Sequence, residues 1–290
     1  MTETDSKIKL ENDPKKPKYY FPDDSDLPPN RGLPFDLLSL AVTLPEILDV
    51  AEKELEKFLK NKVENNVNKG NPELVKTEYI NGQVYIEATT QIAPGVSINA
   101  QDGPVYIGSK TNIHAGVTID GPVYIGDNCS IRHGAQIRAG TILGNECVVG
   151  HSAEIKASIC MSGAKMQNGV FVGNSILGVG ARLGSGTILA NRKFNQTIVE
   201  LKFKEDEKIE RISTQMEFFG AILGDYARLG GNVVTNPGTL VGPYTWVMSL
   251  INLEDFTPRS KIVKLKQELI IIDNRKDIKL RTGEGEYEHK

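Results

Sequence analysis

Aliphatic side chains recur at every sixth position through the middle of the chain. Ile107, Ile113, Ile119, Ile125, Ile131, Ile137, Leu143, Val149 and Ile155 keep step without an insertion. Ile86, Ile92 and Ile98 precede them, and Phe171, Leu177, Leu183 and Leu189, then Leu223, Leu229, Thr235, Val241 and Val247, follow. Six is neither a helix period nor the alternation of an ordinary strand. It is the period of a parallel β-helix, in which each hexad makes one short strand and one turn. Stacked coils line the aliphatic groups into an inner ladder, and since no coil buries its own face, many are needed. Gly and Asn/Asp follow the aliphatics, as in Ile125-Gly126-Asp127-Asn128 and Leu223-Gly224-Asp225, where corners need little bulk or positive φ.

The flanks read differently. Residues 1–33 are charged and Pro-punctuated, the composition of a disordered or loosely draped tail, and do not resemble a signal peptide. Residues 34–83 read as a helical cap and a hairpin. Thr43 and Glu46 have capping-box spacing with Pro45 in the first turn, and Leu44, Ile47, Leu48, Ala51, Leu55, Phe58 and Leu59 form one apolar stripe. That stripe is expected over the open N-terminal end of the β-helix, or between subunits. Tyr79–Tyr85 reads as a tight hairpin on Asn81-Gly82. The β-helix is expected over 84–255, with a register slip in 161–170 and an excursion at 190–221 containing a protruding hairpin at 197–212. Beyond Val247 the chain is expected to leave the coils, with terminal strands at Ile262–Leu265 and Leu269–Ile272 within a final segment 256–290.

A formal net charge of −3 implies no nucleic-acid partner, and no run is long and apolar enough to span a membrane. Cys129, Cys147 and Cys160 are odd in number and sit inside the repeat, which reads as reduced thiols in a cytoplasmic protein. No CxxC pair or His cluster points to a metal. Arg138, Lys156 and Lys165 are cations at strand flanks. Arg138 and Lys156 are eighteen residues apart, so three hexads per coil would stack them, either as a phosphate clamp or as a solvated basic face. Asn191, at the root of the excursion, is a turn residue or a ligand contact by spacing alone.

Several runs in order carry a resemblance: Gln136-Ile137-Arg138-Ala139-Gly140, Val149-Gly150-His151-Ser152-Ala153-Glu154-Ile155-Lys156, Phe171-Val172-Gly173-Asn174, Leu183–Asn191 and Gly220–Asp225. From about Val84 to Leu265 the chain resembles the left-handed β-helix acyltransferases, most of all the C-terminal half of the N-acetylglucosamine-1-phosphate uridyltransferase/glucosamine-1-phosphate acetyltransferase family and related sugar-nucleotidyltransferase-like proteins. The resemblance implies a mainly β, left-handed parallel β-helix, a homotrimer with active sites between subunits, and acetyl-CoA as donor to an amino sugar phosphate or nucleotide sugar. It implies that Arg138 and Lys156 hold the substrate phosphate, and that Phe171 and Asn191 line the transfer site.

The departures matter as much. Phe171 lacks the hydroxyl of the family's Tyr, and Arg192-Lys193-Phe194 replaces the usual Tyr-Asp-Gly after Asn191. Asn168 stands where the family carries its general-base His, and an amide cannot accept the acceptor's proton near neutral pH. His151 is the best substitute base, with His114 and His133 in similar turns. The region before Val84 holds no Gly-rich nucleotide loop, so nucleotidyl transfer is not expected. Two readings follow: an acetyl-CoA-dependent acyltransferase, or a trimeric nucleotide-sugar-binding or scaffolding module without catalysis. Spacings of nineteen and eighteen residues among His114, His133 and His151 do not suit a three-His zinc cage shared between subunits.

Overall fold

Mostly two- and three-residue strands alternate with tight corners, and within the coils every strand pairs in parallel with its counterpart one coil away. The computed structural model describes residues 13–24, 26–65, 80–205, 208–272, 280–282 and 285–287. The coils form a left-handed parallel β-helix of three faces. On the first face Ile98, Ile119, Ile137, Ile155, Val172, Leu189, Thr235 and Leu253 stack inward. On the second, Ile107, Ile125, Leu143, Cys160, Leu177, Leu223 and Val241 do so. On the third, Ile113, Ile131, Val149, Met166, Leu183, Leu229 and Val247 do so. Nearly all of these side chains are fully buried, each contributing on the order of 2 kcal/mol by transfer from water. The three cysteines lie inside this core; a hydrogen bond with Cys129 and burial push the Cys147 thiol up, and burial pushes the Cys160 thiol up, which keeps them unreactive.

The hexad reading needs correction at several places. Val172, not Phe171, points inward. One residue is lost between Ile155 and Cys160 and another between Val172 and Leu177, so the slip falls at two corners and not within 161–170. At those corners Ala157 and Asn174 take φ near 45°, while Gly140 in the preceding coil has φ 77°. Hydroxyls staple them: Thr141 donates to the Arg138 carbonyl at 2.6 Å and Ser158 to that of Lys156 at 2.7 Å. Ile80–Ile86 is not a hairpin but a parallel strand on Ser97–Ile107. Gly82 there absorbs a register shift at φ 87°, with a Cβ placed only 2.3 Å from the Ala100 carbonyl oxygen, so Asn-Gly serves a bulge. Tyr79 lies outside the described residues. The coils also run past Val247, through Asn252–Leu253, Phe256–Thr257 and Ile262–Val263, whereas Leu265–Ile272 forms no strand.

A second core lies outside the coils. Outward positions of the second face stack as Tyr85, Tyr106, Tyr124, Ile142, Ile159, Ile176, Ile222, Leu240 and Phe256. The three tyrosine rings are parallel at 5.1 Å. Helices α1 (Pro17–Tyr20), α2 (Leu37–Leu40) and α3 (Glu46–Asn65) cover this column. Thus α3 lies along a flank and not over the open end. Its stripe meets an apolar column there, with the Phe58 ring edge-on to Tyr106 at 5.8 Å and Tyr124 at 5.4 Å. Glu46 accepts from the Val42 and Thr43 amides at 2.9 and 3.1 Å, which lowers its carboxyl pKa and completes the expected cap from the Glu side. The hairpin Glu200–Glu205/Lys208–Ser213 leaves the coil path and lays Leu201 and Phe203 on the same column.

The corner between the second and third faces explains why the N-terminal segment sits there. One N–H per coil points along the axis, at residues 109, 127, 145, 162, 179, 225 and 259, with Pro243 having none. Where the next coil offers Asp or Asn, its side chain accepts: Ser109 to Asp127 at 2.7 Å, Asp127 to Asn145 at 2.9 Å, and Val179 to Asp225 at 2.9 Å. Where the next coil offers Ser162, Val179, Pro243 or nothing, the N-terminal segment accepts instead. Asn145 donates to the Gly32 carbonyl at 3.3 Å, Ser162 to that of Arg31 at 2.9 Å, Asp225 to that of Tyr20 at 3.0 Å, and Arg259 to the Tyr19 hydroxyl at 2.9 Å. Arg31 locks the arrangement, with Nη1 2.7 and 2.6 Å from the two oxygens of buried Asp225.

Burial pushes the Asp225 carboxyl above its ordinary pKa, against the pull of Arg31 and of the Val179 N–H. Arg31→Met removes the cation and leaves a buried carboxylate, which should cost about 3–5 kcal/mol in denaturant unfolding at pH 7. A carboxyl whose folded pKa lies above its unfolded value contributes stability at low pH and loses it as pH rises through the folded value. The deficit of Arg31→Met relative to the parent should therefore shrink between pH 7 and pH 5. A deficit that grows on acidification would contradict the pairing.

Candidate functional site

The corner between the first and second faces gathers most of the residues with chemistry. Outward on the first face, Arg138, Lys156, Gly173 and Ala190 occupy successive rungs of one column. Arg138 and Lys156 are therefore in register, but their side chains diverge. Arg138 pairs with Glu154 at 2.7 Å. The Lys156 ammonium lies 5.4 Å from the Phe218 ring centroid, and the Arg192 guanidinium lies 4.8 Å from the same centroid. Two cations thus share one aromatic ring at the root of the excursion, where an isolated bridge joins Arg192 to Phe218.

Asn191 is beside them. Its Nδ2 donates to Asn174 Oδ1 at 2.7 Å, and its carbonyl accepts from Phe219 at 2.9 Å. Gly173 makes this possible: a Cβ there would lie 2.6 Å from Asn191 Nδ2 and 2.9 Å from Phe171 Cε1. Phe171 is outward and half-buried, in register with Glu154 below and Ile188 above. The result is a recess-side cluster of two cations and an amide beside Gly173, whose charge and donors suit a phosphate or carboxylate oxygen. Sequence reasoning found Arg138, Lys156, Phe171 and Asn191. It missed Arg192, noted only as a departure from the family pattern, and it missed Asn174 and Phe218. Phe218 lies beyond the hairpin and carries no local signal.

His151 and Asn168 sit at a different corner, between the third and first faces, on consecutive coils. Asn168 Oδ1 accepts the His151 N–H at 3.1 Å. His151 Nδ1 is 2.8 Å from the His133 carbonyl oxygen, which can only accept, so Nδ1 carries a proton. Nε2 is 3.2 Å from Ser152 Oγ, and in the neutral ring it is the acceptor nitrogen. His133 also packs its ring 4.8 Å from His114. His151 lies in the turn that precedes the strand Glu154–Lys156, and Lys156 lies at that strand's far end, so the two stand at opposite ends of one face. Lys165 is exposed on the third face, in register with Arg182 and three residues before Asn168. The residues expected to form one site therefore lie in three places on a single chain.

Gly173→Ala offers a local check. The added methyl should push Asn191 off Asn174 and cost about 1–3 kcal/mol in chemical denaturation, while the neighbouring substitution Ala190→Gly stays near 1 kcal/mol. Equal, small effects at both positions would show that the Asn191 contact is not tight.

Comparison with known proteins shows similarity over part of the coils. The model of the GMPPB C-terminal domain matches residues 119–254. The bifunctional protein GlmU of Methanococcus aeolicus is 31% identical over 119 residues, which is 41% of this chain and 28% of that protein. The bifunctional sugar-1-phosphate nucleotidylyltransferase/acetyltransferase of Sulfurisphaera tokodaii is 35% identical over 87 residues, 30% of this chain and 21% of that protein. The chain thus spans about a quarter of the length of the curated relatives it matches. Among solved structures, the UDP-N-acetylglucosamine acyltransferase of Francisella novicida superposes with a TM-score of 0.48 at 18% identity, covering 60% of each chain.

Proposed function

We propose that this chain, a left-handed β-helix of hexapeptide repeats related to the C-terminal half of GlmU-type proteins, is an acyltransferase acting on a sugar derivative. In this reading the donor is acetyl-CoA, the acceptor is an amino sugar phosphate or a nucleotide sugar, and the working form is a cytoplasmic homotrimer. The observation that carries it is the recess at the excursion root, where Lys156 and Arg192 flank Phe218 beside Asn191. Phosphate oxygens of the acceptor would lie against these cations, with Arg138 released from Glu154 to join them. The placement of these cations and of His151 at opposite ends of one face supports a site completed by the corresponding corner of a second copy.

The chemistry then needs one proton carrier. His151 Nε2 accepts the proton of the acceptor's amine or hydroxyl as that group attacks the thioester carbonyl carbon. The tetrahedral oxyanion collapses, the C–S bond breaks, and the imidazolium returns the proton to the departing thiolate. The His133 carbonyl holds the ring in the required tautomer, and Asn168 fixes the His151 backbone. His151 lies one coil before Asn168 in the same corner column, so a base there is displaced by one rung, ~4.8 Å, from the position of the family's His.

A specific observation favours a second reading, a trimeric module that binds a nucleotide sugar without catalysis. Asn168 has no proton-accepting nitrogen, its oxygen is already engaged, and Phe171 has no hydroxyl. Release of free thiol from acetyl-CoA, with glucosamine-1-phosphate and a panel of amino-sugar nucleotides, separates the two when run beside thermal-shift titrations. Turnover is expected, with a loss of ~10²-fold or more in His151→Ala. Arg138→Ala should raise the acceptor KM about 10-fold without unfolding the protein, and Asn168→His should raise kcat. Stabilisation by acceptor without turnover selects the binding module. Silence in both assays rejects both readings.

A further inference from the structure

We infer that the third face carries a binding site for a nucleoside diphosphate, separate from the recess and from the His151 corner. Lys165, Arg182, Arg228 and Trp246 stand in register on four consecutive coils, all outward and all exposed. Among the described residues none of these three cations makes an ion pair. Like charges directly opposite one another on neighbouring strands repel, at a spacing of ~4.8 Å per rung. A column of three is therefore a standing cost, and a bound anion removes it.

The column has the form of a ligand and not only its sign. Arg182 and Arg228 each present a planar fork of N–H donors suited to two-point binding of phosphate oxygens. The Arg228 guanidinium lies 5.5 Å from the Trp246 ring centroid, and Trp246 remains 49% exposed. A large planar ring beside a phosphate-binding fork is a packing surface for a base. From Trp246 to Arg182 is two rungs, ~10 Å, the scale of one nucleotide from base to second phosphate. The next outward positions on the two arginine strands are Gly184 and Gly230. Each is pressed on the following coil, where a Cβ would lie 2.5 Å from the Gly231 nitrogen and 2.6 Å from the Ser249 nitrogen respectively. The ledge beside the forks is consequently bare of side chains. The base packs against the exposed edge of the Trp246 ring, whose faces meet Arg228 and the Ile262 rung, the two phosphates bridge Arg228 and Arg182, and Lys165 reaches the outer phosphate or its substituent.

A free nucleoside diphosphate, a nucleotide sugar and the nucleotide end of coenzyme A share this chemistry. Isothermal titration calorimetry on the full chain with UDP, GDP, ADP, a UDP-sugar, coenzyme A and inorganic pyrophosphate tests the site and separates the sources. At least one nucleotide is expected to bind, more tightly than pyrophosphate. Arg182→Gln and Arg228→Gln should each raise its Kd about 10-fold or more. Trp246→Ala should weaken the nucleotide ~5-fold or more while leaving pyrophosphate unchanged, and Trp246→Phe should restore most of the loss. Circular dichroism checks that each variant keeps its β spectrum. Tightest binding of a UDP-sugar marks an acceptor, and tightest binding of coenzyme A marks a donor, and either supports the site. No nucleotide binding, or a Kd unmoved in the Arg182→Gln/Arg228→Gln double variant, overturns it. So does pyrophosphate binding as tight as nucleotide and indifferent to Trp246. Dissociation of a native oligomer by Arg182→Glu in sedimentation would assign the column to contacts between copies, and also overturns it. These outcomes hold whether or not the chain transfers an acyl group.

Discussion

A parallel coil closes its strand hydrogen bonds with its neighbours, yet each corner leaves an N–H directed along the axis, and buried donors must be paired. The corner between the second and third faces answers this in two ways. Asp or Asn in the following coil supplies an oxygen after residues 109, 127 and 179. Ser162 is too short, Val179 has no acceptor and Pro243 carries none, and at each gap the N-terminal segment inserts a carbonyl. The Arg31–Asp225 pair holds that segment in place, while the segment in turn covers an apolar column that would otherwise face water. Departures from the repeat and the segment that compensates for them are thus one design.

The same logic shapes the recess. Shortening the coils at Ala157 and Asn174 tightens the corner beside Lys156, and placing Gly173 in its column opens room for Asn191. The excursion then returns Phe218 to the spot where Lys156 and Arg192 meet. None of these steps alters the inner ladder. A β-helix can therefore vary its outer columns rung by rung, since each outward side chain is set independently of the aliphatic group that holds the strand.

This independence also decides what could be read from the sequence. The inward residues were legible because the period that places them is written in adjacent hexads. The stacking of Arg138 and Lys156 followed from that period alone. Val172 was missed because a coil that drops one residue still shows Phe171 at the expected count, and only pairing partners reveal the shift. The position of α3 was missed because an apolar stripe does not name its partner. Its partner, the column through Tyr106 and Ile159, is an outward series that hexad analysis treats as surface. Asn174 and Phe218 were invisible for a related reason, since their meaning depends on Asn191 and Lys156 across a coil or an excursion.

The N-terminal segment has a consequence for how the chain is made. Tyr19 meets Arg259 across 240 residues, and Arg31 meets Asp225 across 194. At a synthesis rate of about 5–20 residues per second, the earliest of these residues wait ~10–50 s for their partners to emerge. Coils can pair as they appear, because each needs only its predecessor. The apolar run through Tyr19, Tyr20 and Phe21 cannot, and it remains uncovered until nearly all the coils exist. Its docking is then a report that the coils were completed in register, since a single slipped rung would leave the Arg31 guanidinium without its carboxylate.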